Sequence, residues 1–531
     1  MTLDQDGSAR RWWHSAAIYQ IYPRSYQDSD GDGVGDLLGI TARLHYLAEL
    51  GVDTIWISPI YPSPMKDFGY DLTDYTGIDP RFGTLGNFDA LVVRAHALGL
   101  RVLLDFVPNH SSNRHPWFVE SRSSRTNAKR DWYLWADPAL GGGPPNNWIS
   151  DFGGPAWTWD ATTGQYYAHA FLAEQPDLNC RNPQVRAAML DAMAFWFDRG
   201  VDGFRIDVLW HMIKAEGFPD NPTNAEWRPG MADMLRVLQT RSTDQPEVHD
   251  IAAEMRALAD AHGALLVGEV YLPIDRLVRY YGQDRPGVHL PFNFALIDAP
   301  WNAATIARII AEYEAALPEG AWPNWVLGNH DRPRIAARVG EAQARVAMML
   351  LLTLRGTPTI YYGDELGMVD VAIPPGQVQD PRELREPGLG LGRDPVRTPM
   401  AWDAGANGGF TRGVPWLPLH ADWPSRNVAV QRDDPDSMLS LTRALLALRR
   451  STPALALGDI TLVPGGMDVL AYTRGHGDRV VAVALNLGSH PREVALPGRP
   501  RALLSTHADL PESQSGRVML KGNEGAVFAL E

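Results

Sequence analysis

Short apolar runs alternate with longer amphipathic segments along most of the chain. The short runs are rich in aliphatic and aromatic residues and are bounded by Gly, Pro or Asn, which is typical of buried strands. The segments between them carry apolar residues at helical spacing. Strands that alternate with helices in this way, eight of them, predict a parallel (β/α)8 barrel of the α/β class. The predicted strands cover residues 18–22, 52–59, 101–107, 203–208, 264–270, 288–294, 324–330 and 357–364.

Several helical segments have recognisable ends. Asn182 stands before Pro183, which is the arrangement of a capped helix with proline in its first turn. Gly51 ends another helix, and Asn87 is a candidate cap for a third. The predicted helices cover residues 37–50, 87–98, 182–199, 231–262, 342–354 and 437–449.

Two stretches interrupt this alternation, and a third region follows a different pattern. Residues 108–174 are irregular and too long for a plain connection, so they predict an inserted subdomain after the third strand. Residues 369–422 predict a second irregular excursion, after the eighth strand. From about residue 456 short strands with turn signals predict a C-terminal antiparallel β-sandwich. The expected domains are the barrel at 1–107 and 175–455, the insertion at 108–174 and the sandwich at 456–531.

Charge and composition exclude several classes of protein. With 48 basic and 63 acidic residues the formal charge is -15, which disfavours nucleic acids and anionic membranes as partners. Cys180 has no second cysteine to pair with, no apolar run is long enough for a membrane span, and residues 1–7 lack the features of a secretory signal. These features favour a cytoplasmic enzyme, monomeric or a small homo-oligomer, that acts on a small molecule. The 18 Trp, 17 Tyr and 15 Phe residues suit sugar rings as ligands.

Polar residues with catalytic chemistry follow four of the predicted strands. In a parallel barrel the carboxyl ends of the strands form the active site. Four acids, two histidines and one arginine are therefore expected on one rim. A metal site is the alternative, but the histidines lack metal-ligand spacing, so catalysis is favoured. The residues are Asp105, His110, Arg205, Asp207, Glu269, His330 and Asp331.

Five sequence blocks give the chain a resemblance to a known family. They are D-F-V-P-N-H at 105–110, Q-P-D-L-N at 175–179, G-F-R-I-D-V at 203–208, G-E-V at 268–270 and G-N-H-D at 328–331. In this order they resemble the α-amylase superfamily, glycoside hydrolase family 13, in its oligo-1,6-glucosidase and α-glucosidase branch. The resemblance implies a TIM barrel with the inserted subdomain and the terminal sandwich, and no organic cofactor.

The resemblance also implies a role for each site residue. Asp207 would be the nucleophile, Glu269 the general acid/base and Asp331 the stabiliser of the transition state. Arg205 would position the nucleophile, and His110 and His330 would bind the first sugar. Asp67, Tyr70 and Arg397 would close the pocket at the non-reducing end of the substrate.

Elementary electrostatics agrees with the two main roles. Arg205 and Asp207 lie two residues apart on one strand face, so the cation favours an ionised nucleophile. Glu269 sits in an apolar run with no basic neighbour in sequence, which favours a retained proton. Retaining cleavage needs one carboxyl in each state.

An acidic loop near the start of the chain is a candidate calcium site. Residues 28–36 offer oxygen ligands at alternate positions with glycines between them, as calcium loops do. Position twelve is Gly39 rather than Glu, so this is not a helix–loop–helix motif, and a solvated acidic turn is the alternative. By the family resemblance one structural Ca²⁺ would be held by Asp28, Asp30, Asp32, the carbonyl of Val34 and Asp36.

The predicted activity is that of a retaining, exo-acting α-glucosidase on short oligosaccharides. All three expected catalytic acids are present, which disfavours a non-catalytic binding relative. Val208 follows the nucleophile, and in the branch resembled Val accompanies cleavage of α-1,6 bonds such as that of isomaltose, whereas Thr accompanies α-1,4. The open alternatives are an α-1,4-glucosidase, a sucrose- or trehalulose-acting glucosidase or isomerase, and a transglucosylase.

Overall fold

Eight parallel strands form the barrel that the sequence predicts. The computed structural model describes residues 11–530. The barrel strands are Ile18–Ile21 (β1), Thr54–Ile57 (β2), Arg101–Phe106 (β3), Gly203–Ile206 (β4), Leu265–Gly268 (β5), Leu290–Pro291 (β6), Asn324–Val326 (β7) and Thr357–Tyr361 (β8). They neighbour one another in the order β7-β8-β1-β2-β3-β4-β5-β6. A parallel bridge between Asn293 and Trp325 joins the two ends of this row and closes the sheet.

Alternation along each strand decides which side chains enter the barrel. In β3, Leu104 and Phe106 pack outwards against the helices, and Leu103 packs into the inner core. Asp105 therefore shares the inward face with Leu103, one step nearer the carboxyl end. On the neighbouring strand β4 the residue in register with Asp105 is Arg205. The fold thus brings an acid and a base together at the rim of the barrel.

The helices begin and end close to the predicted residues, with one corrected cap. Asn182 caps the helix that contains Pro183, and Gly51 adopts a left-handed conformation after another helix. Asn87 is not a cap: Thr84 is, and Asn87 completes a capping box three residues later. The helices are Pro23–Tyr26, Leu37–Leu50, Leu85–Ala97, Pro116–Ser121, Pro183–Phe197, Val248–Ala261, Ile274–Leu277, Ala295–Asp298, Ala303–Ala316, Ile335–Val339, Glu341–Thr353, Pro381–Arg385, Val428–Arg432, Met438–Ser451 and Pro453–Leu457.

The predicted helix at 231–262 is wrong over its first half. The helix begins only at Val248, and a long loop with one short 3-10 turn, Asp233–Arg236, precedes it. Pro246 accounts for the difference, because a proline disfavours the α conformation of the residue before it and lacks the N–H that an interior helical position donates. The loop that results is free to reach over the carboxyl end of the barrel.

Two further units of sheet lie outside the barrel. A three-stranded antiparallel sheet, Trp135–Ala136, Gln165–Ala168 and Trp157–Asp160, lies within the predicted insertion. Near the end of the chain a five-stranded and a three-stranded antiparallel sheet share one apolar core, so the predicted sandwich is confirmed. Their strands are Asp459–Val463, Val469–His476, Arg479–Asn486, Gly525–Leu530 and Pro500–Ser505 in the first sheet, and Arg492–Ala495, Arg517–Leu520 and Ser513–Gln514 in the second.

In the sandwich the sequence pattern does not predict the strands Ser513–Gln514, Arg517–Leu520 and Pro500–Ser505. The last of these is the longest. It begins with a proline, and its pairing shifts register between Ala502 and Leu504, so the period-two pattern is broken. The exact domain boundaries stay predictions. Among residues 11–530 no helix has the length and apolarity that a membrane crossing requires. The predicted lack of a secretory signal concerns residues 1–7, which lie outside the described residues.

Candidate active site

A pocket opens at the carboxyl ends of the barrel strands and collects most of the predicted site residues. Its wall includes the three acids expected to do the chemistry and five of the residues expected to bind sugar. Arg205 and Arg397 do not line this pocket; both are buried behind it. The predicted residues on the wall are Asp67, Tyr70, His110, Asp207, Val208, Glu269, His330 and Asp331.

Arg205 contacts three carboxyl groups at once. Its Nη1 lies 2.7 Å from Asp105 Oδ1 and 2.6 Å from Asp207 Oδ1. Its Nη2 lies 2.8 Å from Glu269 Oε2. Glu269 has no basic neighbour in sequence, but it shares this cation because strand order places β5, and with it Glu269, beside β4. One guanidinium thus holds the three acids together.

Burial raises the proton affinity of the three carboxyls that contact Arg205. Burial raises the pKa of Asp207 well above its usual range, although Arg205 opposes the shift. Burial also raises the pKa of Glu269, and it raises the pKa of Asp105 to about 6. One cation cannot neutralise three buried carboxylates, so the group keeps a proton that a single exposed acid would lose.

The environment of Asp331 has the opposite effect on its carboxyl. Burial alone would raise the pKa of Asp331, but the guanidinium groups of Arg397 and Arg393 hold it well below its usual range. Arg397 Nη2 lies 2.8 Å and Arg393 Nη1 3.4 Å from Asp331 Oδ1. The pocket therefore combines an acid that stays ionised with acids that bind a proton.

A chain of hydrogen bonds orients the rings of His330 and Tyr70 on the pocket wall. Gln20 Nε2 donates to His330 Nδ1 over 2.8 Å, which leaves the proton of the neutral ring on Nε2. That nitrogen lies 2.7 Å from Tyr70 Oη, which in turn donates to Asp105 Oδ2 over 3.1 Å. Burial lowers the pKa of His330 well below its usual range, so the ring stays neutral. His330 is thus fixed as a hydrogen-bonding group rather than a proton carrier.

His110 is fixed by the backbone of Tyr70, and its neighbour Asn109 is fixed by the block 175–179. Its Nε2 lies 3.1 Å from the carbonyl oxygen of Tyr70, and burial lowers its pKa to about 4. The neighbouring Asn109 donates to Asp177 Oδ1 over 3.0 Å, and the ammonium of Lys214 lies 2.9 Å from Asp177 Oδ2. The block 175–179 therefore supports the pocket from behind, through Asp177.

Arg393, and not the predicted Arg397, is the arginine that lines the pocket beside Asp67. Arg393 lines the pocket, and its Nη2 lies 2.6 Å from Asp67 Oδ1 and 2.8 Å from Asp380 Oδ1. Arg397 instead donates from Nε to the carbonyl oxygen of His330 over 2.7 Å. Arg397 therefore lies behind the pocket wall rather than on it beside Asp67, and its predicted role at the non-reducing end of the substrate stays a prediction. The sequence shows both arginines, four residues apart, but no pattern in it indicates which of the two lines the pocket.

Val208 differs from the predicted strand residue. Strand β4 ends at Ile206, and Val208 adopts a left-handed conformation with φ of 37°. A β-branched residue rarely adopts this conformation, and surrounding contacts must hold it there. Here the Val208 N–H donates to Glu269 Oε2 over 2.8 Å. The turn that aims Val208 into the pocket also fixes the carboxyl of Glu269.

Comparison with known proteins agrees with this geometry. The family model of the alpha amylase catalytic domain matches residues 20–458. The chain belongs to the alpha-amylase family. A "Probable alpha-glucosidase" of Rhizobium meliloti is 43% identical over the full length of both chains. An "Oligo-1,6-glucosidase" of Parageobacillus thermoglucosidasius is 35% identical over 98% of this chain and 99% of its own. The crystal structure of an alpha-glucosyl transfer enzyme, XgtA, superposes with a TM-score of 0.94 at 41% identity, over 98% of this chain and all of that one.

The acidic loop of this alpha-amylase family member brings three of its predicted ligands together. Carboxylate oxygens of Asp28, Asp30 and Asp36 lie within 4.8 Å of one another, as oxygens around one cation of the size of Ca²⁺ do. Asp32 is not part of this group; its Oδ1 accepts the N–H of Val34 over 2.8 Å. The donor set, all oxygen and partly buried, fits a hard divalent cation.

Arg393 offers a test of the closed end of the pocket. Arg393→Met leaves the buried carboxylates of Asp67 and Asp380 without the guanidinium that each contacts, and breaking such a pair costs about 3–5 kcal/mol. We expect a marked fall in the melting temperature, measured by differential scanning calorimetry. Arg308→Met removes an exposed pair with Glu312 and is the control, because such pairs contribute less than about 1 kcal/mol. Equal melting temperatures for the two variants would contradict the assignment.

Proposed function

We propose that this member of the alpha-amylase family is a retaining, exo-acting α-glucosidase that releases glucose from the non-reducing end of short α-glucosides. The observation that carries the proposal is the shared contact of Arg205 with Asp207 and Glu269, two acids on the wall of a pocket that Asp67 and Arg393 also line. The ion pair of Asp67 and Arg393 is proposed to close one end of this pocket, so that it admits the end of a sugar chain. Two adjacent carboxyls supply a nucleophile and an acid. The names of the similar proteins support the same activity.

The proposed mechanism uses the two carboxyls in turn. Asp207 attacks the anomeric carbon while Glu269 gives its proton to the glycosidic oxygen, so the leaving sugar departs as an alcohol. Glu269 then takes a proton from water, which displaces Asp207 and restores both groups. Arg205 would steady the ionised Asp207, since burial by itself favours the protonated form. The proton needed for the first step is assigned to Glu269, whose pKa burial raises.

The remaining wall residues are proposed to hold the terminal glucose. Asp331 stays ionised beside two arginines and can accept hydrogen bonds from sugar hydroxyls as positive charge develops on the ring. The neutral His110 and His330, with Tyr70, orient the ring. Asp67, which forms an ion pair with Arg393, accepts hydrogen bonds from the hydroxyl groups at the non-reducing end. If these groups close the pocket as proposed, no further sugar binds beyond that end, and short substrates are preferred over starch.

Substitution of the two carboxyls tests this mechanism. Asp207→Asn and Glu269→Gln keep the size and most hydrogen bonds of the side chains but remove the nucleophile and the acid. We expect each variant to lose several orders of magnitude in kcat for an α-glucoside, with a melting temperature close to that of the wild type. Either variant with near wild-type turnover would show that the assigned role is wrong.

The linkage is proposed to be α-1,6, with isomaltose and isomalto-oligosaccharides as substrates. The pocket wall at Val208 is apolar where a Thr would offer a hydroxyl to the leaving sugar. One neutral hydrogen bond contributes about 0.5–1.5 kcal/mol, enough to shift a preference without abolishing an activity. The covalent intermediate can also react with a sugar hydroxyl in place of water, and the name of XgtA supports glucosyl transfer as a second candidate.

Val208→Thr tests the linkage. We expect the wild type to cleave isomaltose faster than maltose, and the variant to shift the ratio of the two kcat/KM values towards maltose by up to about ten-fold. The measurement is glucose release from both disaccharides. An unchanged ratio in the variant, or a strong maltose preference in the wild type, would place the determinant of linkage elsewhere.

A structural Ca²⁺ is proposed at the acidic loop. Asp28, Asp30 and Asp36 would hold it, with the Val34 carbonyl as a further candidate ligand and Asp32 beside the site. The ion would neutralise part of a local negative charge and so stabilise the loop, with no part in the chemistry. A cytoplasmic location, and a monomer or small homo-oligomer, stay predictions.

Chelation tests the calcium site. We expect EDTA to lower the melting temperature of the wild type and added Ca²⁺ to restore it. Asp30→Asn keeps an oxygen acceptor for the turn but removes a charge, so its melting temperature should respond less to EDTA than that of the wild type. If EDTA leaves the wild-type melting curve unchanged, the loop is a solvated turn without an ion.

A further inference from the structure

Three loops meet around the mouth of the pocket and are tied to one another by hydrogen bonds. Glu386 Oε1 accepts the N–H of Asp233 over 2.7 Å. Asp233 Oδ2 in turn accepts the N–H of Gly154 over 2.9 Å, and Arg385 Nη2 donates to the carbonyl oxygen of Gly153 over 2.8 Å. The insertion, the loop before Val248 and the excursion after β8 therefore form one connected mouth.

Arg382 extends from this mouth into the pocket. It lies on the short helix Pro381–Arg385, whose cap is Asp380, the residue that also binds Arg393. The start of that helix is therefore anchored to the closed end of the pocket. Arg382 itself lines the pocket wall together with Asp151, Met234 and Gln239, which come from the other two mouth loops.

The guanidinium of Arg382 is poorly satisfied within the protein. Its one side-chain hydrogen bond to the described part of the chain goes to Met234 Sδ at 3.7 Å, and its buried Nε has no partner there. Among residues 11–530 it forms no ion pair with a carboxylate, whereas Arg393 on the same wall contacts three. Burial and the nearby cations Arg393 and Arg332 lower its pKa.

An unpaired guanidinium at this position has a physical cost that a ligand can offset. Hydrogen bonds that a charged group leaves unmade are among the most expensive, and water or a ligand must supply them. The rest of the wall divides the pocket into two ends. In the function proposed above, Asp67 and Arg393 hold the terminal glucose, and the mouth loops, with Arg382, surround the part of the substrate that leaves.

We propose that Arg382 binds the leaving sugar, by donating hydrogen bonds to hydroxyl groups on the reducing side of the scissile bond. The inference rests on the exo-acting α-glucosidase activity proposed above, because in that reaction the leaving group is the part of the substrate that lies at the mouth. Its chemical class is an oxygen-rich polyol. Arg382 is therefore a determinant of specificity for the leaving group and not for the glucose that is transferred.

The test compares substrates that share the glucosyl group and differ in what leaves. Isomaltose and maltose each release a second glucose, whereas α-D-glucosyl fluoride releases an ion without hydroxyl groups. Arg382→Met keeps an apolar stem and removes every donor. We expect kcat/KM for the disaccharides to fall about ten-fold or more, chiefly through KM, and kcat/KM for the fluoride to stay within about three-fold. Arg382→Lys, which retains a charged donor, should lose less.

Arg385→Met provides the matched control, because Arg385 lies on the same helix but bonds Gly153 outside the pocket wall. It should change both classes of substrate by the same factor. Equal losses for both classes in Arg382→Met, or no loss in either, would overturn the proposal, and melting temperatures show whether the variants fold. If Arg382→Met does not fold, an unchanged substrate ratio in Arg382→Lys overturns it instead. A wild type that hydrolyses neither class would overturn the α-glucosidase function itself.

Discussion

The contact of one buried arginine with three carboxyls is the interaction on which the rest of the site depends. Arg205 can reach Asp105, Asp207 and Glu269 only because β3, β4 and β5 are neighbours in register. A cation buried in this way is stable only with its partners in place, and the partners are held close only by the cation. The register of β3, β4 and β5 therefore also determines the arrangement of the carboxyls in the pocket, and a shift in register would disrupt that arrangement.

Much of the fold could be predicted because its determinants are local. Strand β3 is an example. Its apolar run, bounded by polar residues, predicts both the strand and its burial, and Asp105 is the one acid within that run, on the inward face. The cap at Asn182 and the end at Gly51 were readable for the same reason. The helix at 231–262 failed where a single proline, Pro246, outweighed the periodicity around it.

The site residues at strand ends could be predicted from the sequence pattern, whereas those on loops, such as Asp67 and Tyr70, were named only through the family resemblance or not at all. Asp207 and Glu269 follow from their places at strand ends, but nothing local distinguishes Arg393 from Arg397, since the choice depends on where a long excursion returns to the barrel. The same holds for Arg382, whose hydrogen-bond partner Met234 lies 148 positions away. The left-handed turn at Val208 could not be predicted either, because valine strongly prefers negative φ values.

The pairing of β8 with β1 has a consequence for how the protein is made. Thr359 pairs with Ile18, so the ring of strands cannot close before more than half of the chain has been synthesised. Arg397, which holds the carboxylate of Asp331, follows later still. Contacts between residues so distant in sequence form slowly, because a long loop must be ordered first. During synthesis on the ribosome, the catalytic carboxyls would therefore stay exposed to water for a long interval before the pocket is complete. The nascent chain would be inactive until the barrel closes and Arg397 has been added.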